Sequence, residues 1–438
     1  MTPEEPVPAA PSHYRLTCLT CDGQLCDDGL VLDCRKGHGP ALLRTSYIKS
    51  RFEPDNSIDG IFRYHDWLPV RRMLSDTGRS VVYRSHRLAK SLCLSNLWIG
   101  FNGYWPERDG SLETATFKEL EAHTVLARLP PAHSMLNVAS AGNTGAAFAL
   151  SCSRHGIPCL IIIPRRALHR FKFRVPLNPC VRIVTVPGEY PDAIAFADRL
   201  ASTGAFYGEG GAKNVGRRDG LGTVLLSAFE QIGALPDFYF QAVGSGTGGI
   251  SVHEAALRLR QTTGQSTALP RLMLCQNTPF APIYESWQLR QRSLISKTDE
   301  DFRRETRQVR ADELTNWRPP YSLSGGVYDA LTESGGDVLV AGNPATQAAM
   351  DMFLETEGID IEPAAGVALA CLRDAVTRGQ VPADSTVLLN ITGGGRKRLE
   401  QDFSLFSATP DVHLTAESLR SGESVDRVFE LVTARLTR

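Results

Sequence analysis

Apolar residues in this chain gather in short runs. Between the runs lie longer stretches in which they recur every three or four residues. This is the rhythm of strands alternating with amphipathic helices. Runs at 134–139, 158–164, 181–186, 238–243, 271–276, 337–341 and 385–391 predict strands. Stretches at 141–155, 190–202, 222–232, 251–262, 344–357 and 364–378 predict the helices between them. Such alternation predicts an α/β fold with parallel sheets covered by helices. The charged stretch 291–310 breaks the rhythm and reads as a solvated helix face or linker.

Three predicted strands run into glycine-rich turns. They are Ser140-Ala-Gly-Asn-Thr-Gly145, Gly244-Ser-Gly-Thr-Gly-Gly249 and Ile391-Thr-Gly-Gly-Gly395. In open α/β sheets, ligands bind beyond the carboxyl ends of strands, where loops meet helix N-termini. Amide hydrogens and the helix dipole favour an anion there. One such loop reads equally well as a tight turn; three in one chain suggest a shared anionic ligand. The Gly244 loop alone admits a nucleotide reading. That reading is disfavoured, because the acidic residue expected about 20 positions on and the Gly-Lys-Ser/Thr of a P-loop are both missing.

Composition narrows the classes. The chain has 438 residues, a length that suggests about two or three domains. Its 47 basic and 48 acidic residues give a net charge of −1, which argues against a general nucleic-acid binder. No apolar run approaches the roughly 20 residues of a membrane span, and the Pro-rich start lacks the pattern of a secretory signal. The ten cysteines are scattered and do not read as a disulfide framework. Reduced thiols and a cytoplasmic location are expected.

Lys118 adds chemistry. It stands at a helix start, about 22 residues before the Ser140 loop, with the other two glycine-rich loops following in order. This arrangement resembles the fold-type II pyridoxal-phosphate (PLP) enzymes, the group of threonine synthase, tryptophan synthase β and O-acetylserine sulfhydrylase. Further segments, among them Thr116-Phe-Lys-Glu-Leu-Glu-Ala122, Gly208-Glu-Gly-Gly-Ala-Lys213 and Pro319-Pro-Tyr-Ser-Leu-Ser324, are similar to a threonine synthase-like branch of that group. The resemblance covers nearly the whole chain after residue 14. It implies a tryptophan synthase β-like α/β fold of two doubly wound domains plus a small N-terminal Cys-rich ribbon. The expected division is a disordered tail at 1–13, a zinc-ribbon-like segment at 14–44, a large PLP-binding domain at 45–121 and 214–438, and a small mobile domain at 122–213.

The resemblance also implies a reaction: β-replacement that converts O-phospho-L-serine and sulfite to L-cysteate and phosphate through an aminoacrylate. Alternatives are threonine synthesis from O-phosphohomoserine, another nucleophile such as sulfide, or a silent PLP- or nucleotide-binding regulatory protein. A homodimer acting on small molecules is expected, with no nucleic-acid or membrane partner. By resemblance, Lys118 binds the cofactor aldehyde and then takes the substrate Cα proton. Asn143 meets the ring hydroxyl, Gly244, Ser245, Gly246, Thr247 and Gly248 cradle the phosphate, and Thr392 faces the pyridine nitrogen. Ser140, Ala141, Gly142, Thr144 and Gly145 are expected around the substrate carboxylate, although Ser140 and Thr144 could simply cap a helix. Arg108, Arg217 and Arg218 are the expected oxyanion binders, because a guanidinium fork matches an oxyanion; surface ion pairing is the competing reading. Cys18, Cys21, Cys34 and His38 have zinc-ligand types and spacing, against a metal-free remnant as the alternative.

Overall fold

The computed structural model describes residues 13–131, 133–263, 268–421 and 423–433. Residues 1–12 of the expected tail lie outside the described residues. The last residue assigned to it, His13, is built in: its ring stacks on Tyr47 and its Nε2 sits 2.7 Å from the Leu68 carbonyl.

Two sheets organise the chain. A six-stranded sheet has the order Asp337–Ala341, Arg271–Asn277, Phe238–Ala242, Thr386–Ile391, Asn96–Phe101, Val81–Arg84. Its pairs are parallel except the last. A five-stranded parallel sheet has the order Phe206–Gly208, Met135–Ala139, Cys159–Pro164, Val181–Val186, Val412–His413. Cys159–Pro164 and Val181–Val186 are buried at every position. Strands covered on both faces favour apolar runs; Cys159–Pro164 is one, while Val181–Val186 also buries Arg182 and Thr185, which meet Asp411 and His413.

All seven predicted strands and six predicted helices are present. The helix expected at 222–232 begins seven residues earlier, as Val215–Ile232. Glycines at 216, 220 and 222 disguised its first turns, and packing explains one of them. A Cβ at Gly220 would lie 2.4 Å from the Leu120 carbonyl of the neighbouring Lys118–Arg128 helix. The stretch 291–310 does carry a helix, Asp299–Thr306, capped by Thr298.

The expected domain division needs one correction. Val412–His413 pairs with Val181–Val186, and Val412, Leu414 and Val428 share a core with Leu160, Val184 and Phe196. The chain after about residue 405 therefore packs with the small sheet, not with the large domain.

The ribbon Tyr14–Cys18, Gln24–Leu25 and Leu43–Tyr47 is antiparallel. It is clamped to the body by Asp27, which takes Arg128 Nε and Nη2 at 2.8 Å each. Both side chains are almost wholly buried, and Arg128 also donates to Asn214 Oδ1 at 3.0 Å.

Candidate active site

The three glycine-rich loops leave the carboxyl ends of Met135–Ala139, Phe238–Ala242 and Thr386–Ile391, one from the small sheet and two from the large. They converge on a cavity of about 430 Å³. Its wall includes Lys118, Ser140 to Thr144, Gly244 to Gly248 and Thr392, together with Arg217. The geometry brings residues of all three loops to one cavity.

Lys118 opens the Lys118–Arg128 helix. Its position is set from behind: the Phe117 N–H donates to the Thr392 carbonyl at 2.9 Å. The Lys118 side chain is 23% exposed and its Nζ lies 3.4 Å from Glu121 Oε2. Burial lowers the amine below the ordinary lysine range, Glu121 works against that, and Arg217 adds to it. Such an amine is partly prepared as a base or nucleophile.

Ser140 turns out to shape its own loop. Its Oγ accepts from Gly142 N at 3.0 Å and from Gly145 N at 2.8 Å. Gly145 packs against Phe171 and Ser140 and is not part of the cavity wall. Thr144 Oγ1 donates to Glu121 Oε1 at 2.8 Å. Asn143 Nδ2 donates to Glu362 Oε2 at 2.9 Å, and Asn143 Oδ1 is buried with no hydrogen-bond partner among the described residues.

The Gly244 loop enters the Thr247–Thr263 helix, whose first-turn amides have no intrahelical acceptor. Gly246 has φ of +79°, and a Cβ there would meet Val327 Cγ2 at 2.3 Å, so glycine is required on both counts.

The three arginines separate. Arg217 is in the wall but already engaged: Nε donates to Glu209 Oε1 at 2.7 Å, Nη2 donates to Glu209 Oε2, and Nη1 donates to Glu121 Oε1 at 2.9 Å. Those carboxylates raise its pKa despite its burial. Arg218 is a correction. It is wholly buried, bonded to Glu254 Oε2 and to the carbonyls of Ala212 and Leu43, and does not reach the cavity. The helix turns 100° per residue, so neighbours 217 and 218 cannot face the same way. Arg108 is the second correction: its guanidinium lies 4.0 Å over the Tyr83 ring and 4.8 Å over Trp105, outside the cavity wall.

Sequence reading missed Glu121, Glu313, Arg318 and Glu362, all in contact with the cavity wall or part of it. Glu313, Arg318 and Glu362 carry no spacing signal, while the i,i+3 spacing of Glu121 from Lys118 was the one available sign. Glu313 is buried beside Arg170, with burial pushing its carboxyl up to about 8. Arg318 is an exposed cation on the wall whose guanidinium makes no ion pair among the described residues.

These features fit PLP. The Asn143 Oδ1 left without a partner, the amide-lined helix start and the enclosed lysine match a ring hydroxyl, a phosphate and an aldehyde respectively. The sequence pattern of the pyridoxal-phosphate dependent enzymes matches residues 82–393. The chain belongs to that family. Its PLP-enzyme relatives include the cysteate synthase of Methanoculleus marisnigri, 43% identical over 95% of this chain and 96% of that one. The cysteate synthase of Methanosarcina mazei is also 43% identical, over 94% of this chain and 99% of that one. Among solved structures, maize serine racemase matches with a TM-score of 0.57 at 18% identity, covering 74% of this chain and 91% of that one. That likeness shows the shared fold. The fold-type II architecture expected from the sequence is thus the architecture found.

In the ribbon, Cys18, Cys21, Cys34 and His38 bring one ligand atom each within 4.8 Å of one another. Cys21 Sγ and Cys34 Sγ are 3.8 Å apart. Tetrahedral zinc with bonds of about 2.3 Å to sulfur requires a separation of nearly that size. No described helix is long and apolar enough to cross a membrane.

Proposed function

We propose that this PLP enzyme is a cysteate synthase, converting O-phospho-L-serine and sulfite to L-cysteate and phosphate. The observation that carries the reading is the 43% identity to cysteate synthases over about 95% of the chain. The cofactor, when bound, supplies the electron sink that makes Cα acidic. Lys118 Nζ takes the Cα proton. The Cβ–O bond breaks and its electron pair leaves with phosphate. The sulfite sulfur lone pair then forms the Cβ–S bond, and Lys118 returns a proton to Cα.

Around that chemistry, Asn143 and Thr392 orient the cofactor ring and Gly244 to Gly248 hold its phosphate. The loop from Ser140 to Thr144 receives the substrate carboxylate, with Ser140 acting as the turn former. Arg217 and Arg318 face the departing phosphate and incoming sulfite, helped by Lys213. The ribbon ligands Cys18, Cys21, Cys34 and His38 hold zinc, and the enzyme works as a cytoplasmic homodimer. Metal analysis and size-exclusion measurements on the purified enzyme test those last two readings.

The decisive assay supplies O-phosphoserine with sulfite, sulfide or a thiol, and separately O-phosphohomoserine. Cysteate with sulfite is expected as the main product. Threonine from O-phosphohomoserine at a comparable rate would move the enzyme to the threonine synthases. Lys118→Ala should abolish turnover and the visible absorbance of the lysine-linked cofactor. An unchanged band in that variant would mean that another lysine holds it.

A further inference from the structure

Glu121 has no role in the reaction drawn so far, yet it meets three side chains at the cavity, Lys118, Thr144 and Arg217. It lies three residues after Lys118, a spacing that stacks the two on one helix face. Its side chain is wholly buried. Its two oxygens have separate duties. Oε1 accepts from Thr144 Oγ1 at 2.8 Å and from Arg217 Nη1 at 2.9 Å. Oε2 faces Lys118 Nζ at 3.4 Å. One carboxylate therefore joins the lysine, the loop that receives the substrate carboxylate, and the cation facing the leaving group.

We propose that Glu121 is the positioning residue for the proton transfer at Cα, holding Lys118 Nζ in place and stabilising it as the ammonium once it has taken the proton. The inference rests on Lys118 being the base. An ammonium forming in an enclosed site with Arg217 nearby is disfavoured by desolvation and by like charge. Glu121 offers the opposite charge at the atom where the new charge appears. Glu209 provides the contrast. It holds the far side of Arg217 through Nε and Nη2 and, among the described residues, makes no hydrogen bond or ion pair with Lys118, acting on it only as a charge at longer range. If Glu121 merely braced Arg217, the two acids would be equivalent.

The experiment compares Glu121→Gln with Glu209→Gln in the PLP-loaded enzyme, using O-phosphoserine with hydrogen or deuterium at Cα. Glutamine at 121 keeps an acceptor for Thr144 and Arg217 and removes the charge. The expected result is a cofactor absorbance band like that of the wild type, kcat lowered roughly tenfold or more as proton transfer weakens, and a larger isotope effect on kcat. Glu209→Gln should instead raise KM for O-phosphoserine and change the isotope effect far less, since its charge acts on Lys118 only at longer range. A wild-type kcat and isotope effect in Glu121→Gln overturns the proposal, as does an equal rise in isotope effect in both variants. Should Glu121→Gln fail to hold the cofactor, Glu121→Asp takes its place. It keeps the charge one methylene further away, and its isotope effect must still exceed that of the wild type. If Lys118→Ala retains activity, the assignment of the base has failed, which is a separate result.

Discussion

Adjacent Arg217 and Arg218 are both buried in ion pairs, yet the turn of the helix brings only one of them to the cavity. Arg218 is fully buried against Glu254 and two carbonyls, while Arg217 borders the cavity. Removing one member of a buried ion pair strands the other charge and costs about 3–5 kcal/mol. Arg218→Gln is therefore expected to lower the urea midpoint sharply. Arg217→Gln leaves Glu121 and Glu209 without their cation and should lower the midpoint as well, but it alone should also raise KM for O-phosphoserine. An equal rise in KM in both variants, or in neither, would contradict this division. Glu313 gives a pH signature at the same scale. Its carboxyl is pushed up to about 8 by burial, from about 4.3 in an unfolded chain. A folded value above the unfolded one favours the fold fully below about pH 4.3 and loses that support as pH rises through 8. Glu313→Gln retains an acceptor for the Ala364 N–H, now 2.9 Å from Glu313 Oε1, and cannot ionise. Urea titrations at pH 5 and pH 8 should show the wild type losing more stability than the variant over that interval; parallel losses would discount an ionising Glu313.

Elements were legible where local pattern decides them and obscure where tertiary contact does. Val181–Val186 and Asp337–Ala341 were readable to the residue, because short β-branched, mostly apolar segments bounded by turns need little further context. The start of Val215–Ile232 was hidden, because Gly216 and Gly220 serve contacts with another helix. The lysine and the glycine loops could be read because their order along the chain is itself a signal. Glu121 and Glu362 could not, since each acts through residues distant in sequence, Thr144 and Arg217 for one and Asn143 for the other. The ribbon was visible from its cysteines, but its attachment through Asp27 and Arg128 was not. That attachment predicts an acid-dependent stability. Burial opposes ionisation of Asp27, yet Arg128 and Tyr14 hold its carboxyl below the usual aspartate range. A lowered folded value contributes stability above the unfolded pKa of about 3.9, and this is lost as pH falls through the folded value. Asp27→Asn should cost about 3–5 kcal/mol near neutral pH. The gap from wild type should begin to narrow only below about pH 4 and close as pH falls through the folded value, which denaturation curves from neutral pH into acid check. A gap that persists in acid would mean that packing, and not the charge pair, holds the ribbon.

At the scale of the whole molecule, the cavity is shared by two sheets whose duties differ. The Gly244 and Thr392 loops belong to the large sheet, and Lys118 is tied to Thr392 through the Phe117 N–H. The Ser140 loop and the segment from Gly210 to Lys213 extend from the small sheet. Among the described residues, the last part of the chain packs with the second group. Val412–His413 covers the edge of Val181–Val186, Asp411 Oδ2 takes the Ile183 N–H at 2.9 Å, and Arg182 pairs with Asp411 at 3.0 Å. Deleting residues 406–438 would expose Val184 and Val186 and leave an open, apolar edge strand, which destabilises its sheet and invites association. The large sheet keeps all six of its strands in such a variant. Cofactor binding, read from the absorbance band, should therefore survive the deletion. KM for O-phosphoserine should rise, and thermal unfolding should separate into an early step for the small sheet and a later one for the large. Simultaneous loss of the band and of substrate affinity in one cooperative step would show that the two sheets stand or fall together, with the C-terminal strand serving both.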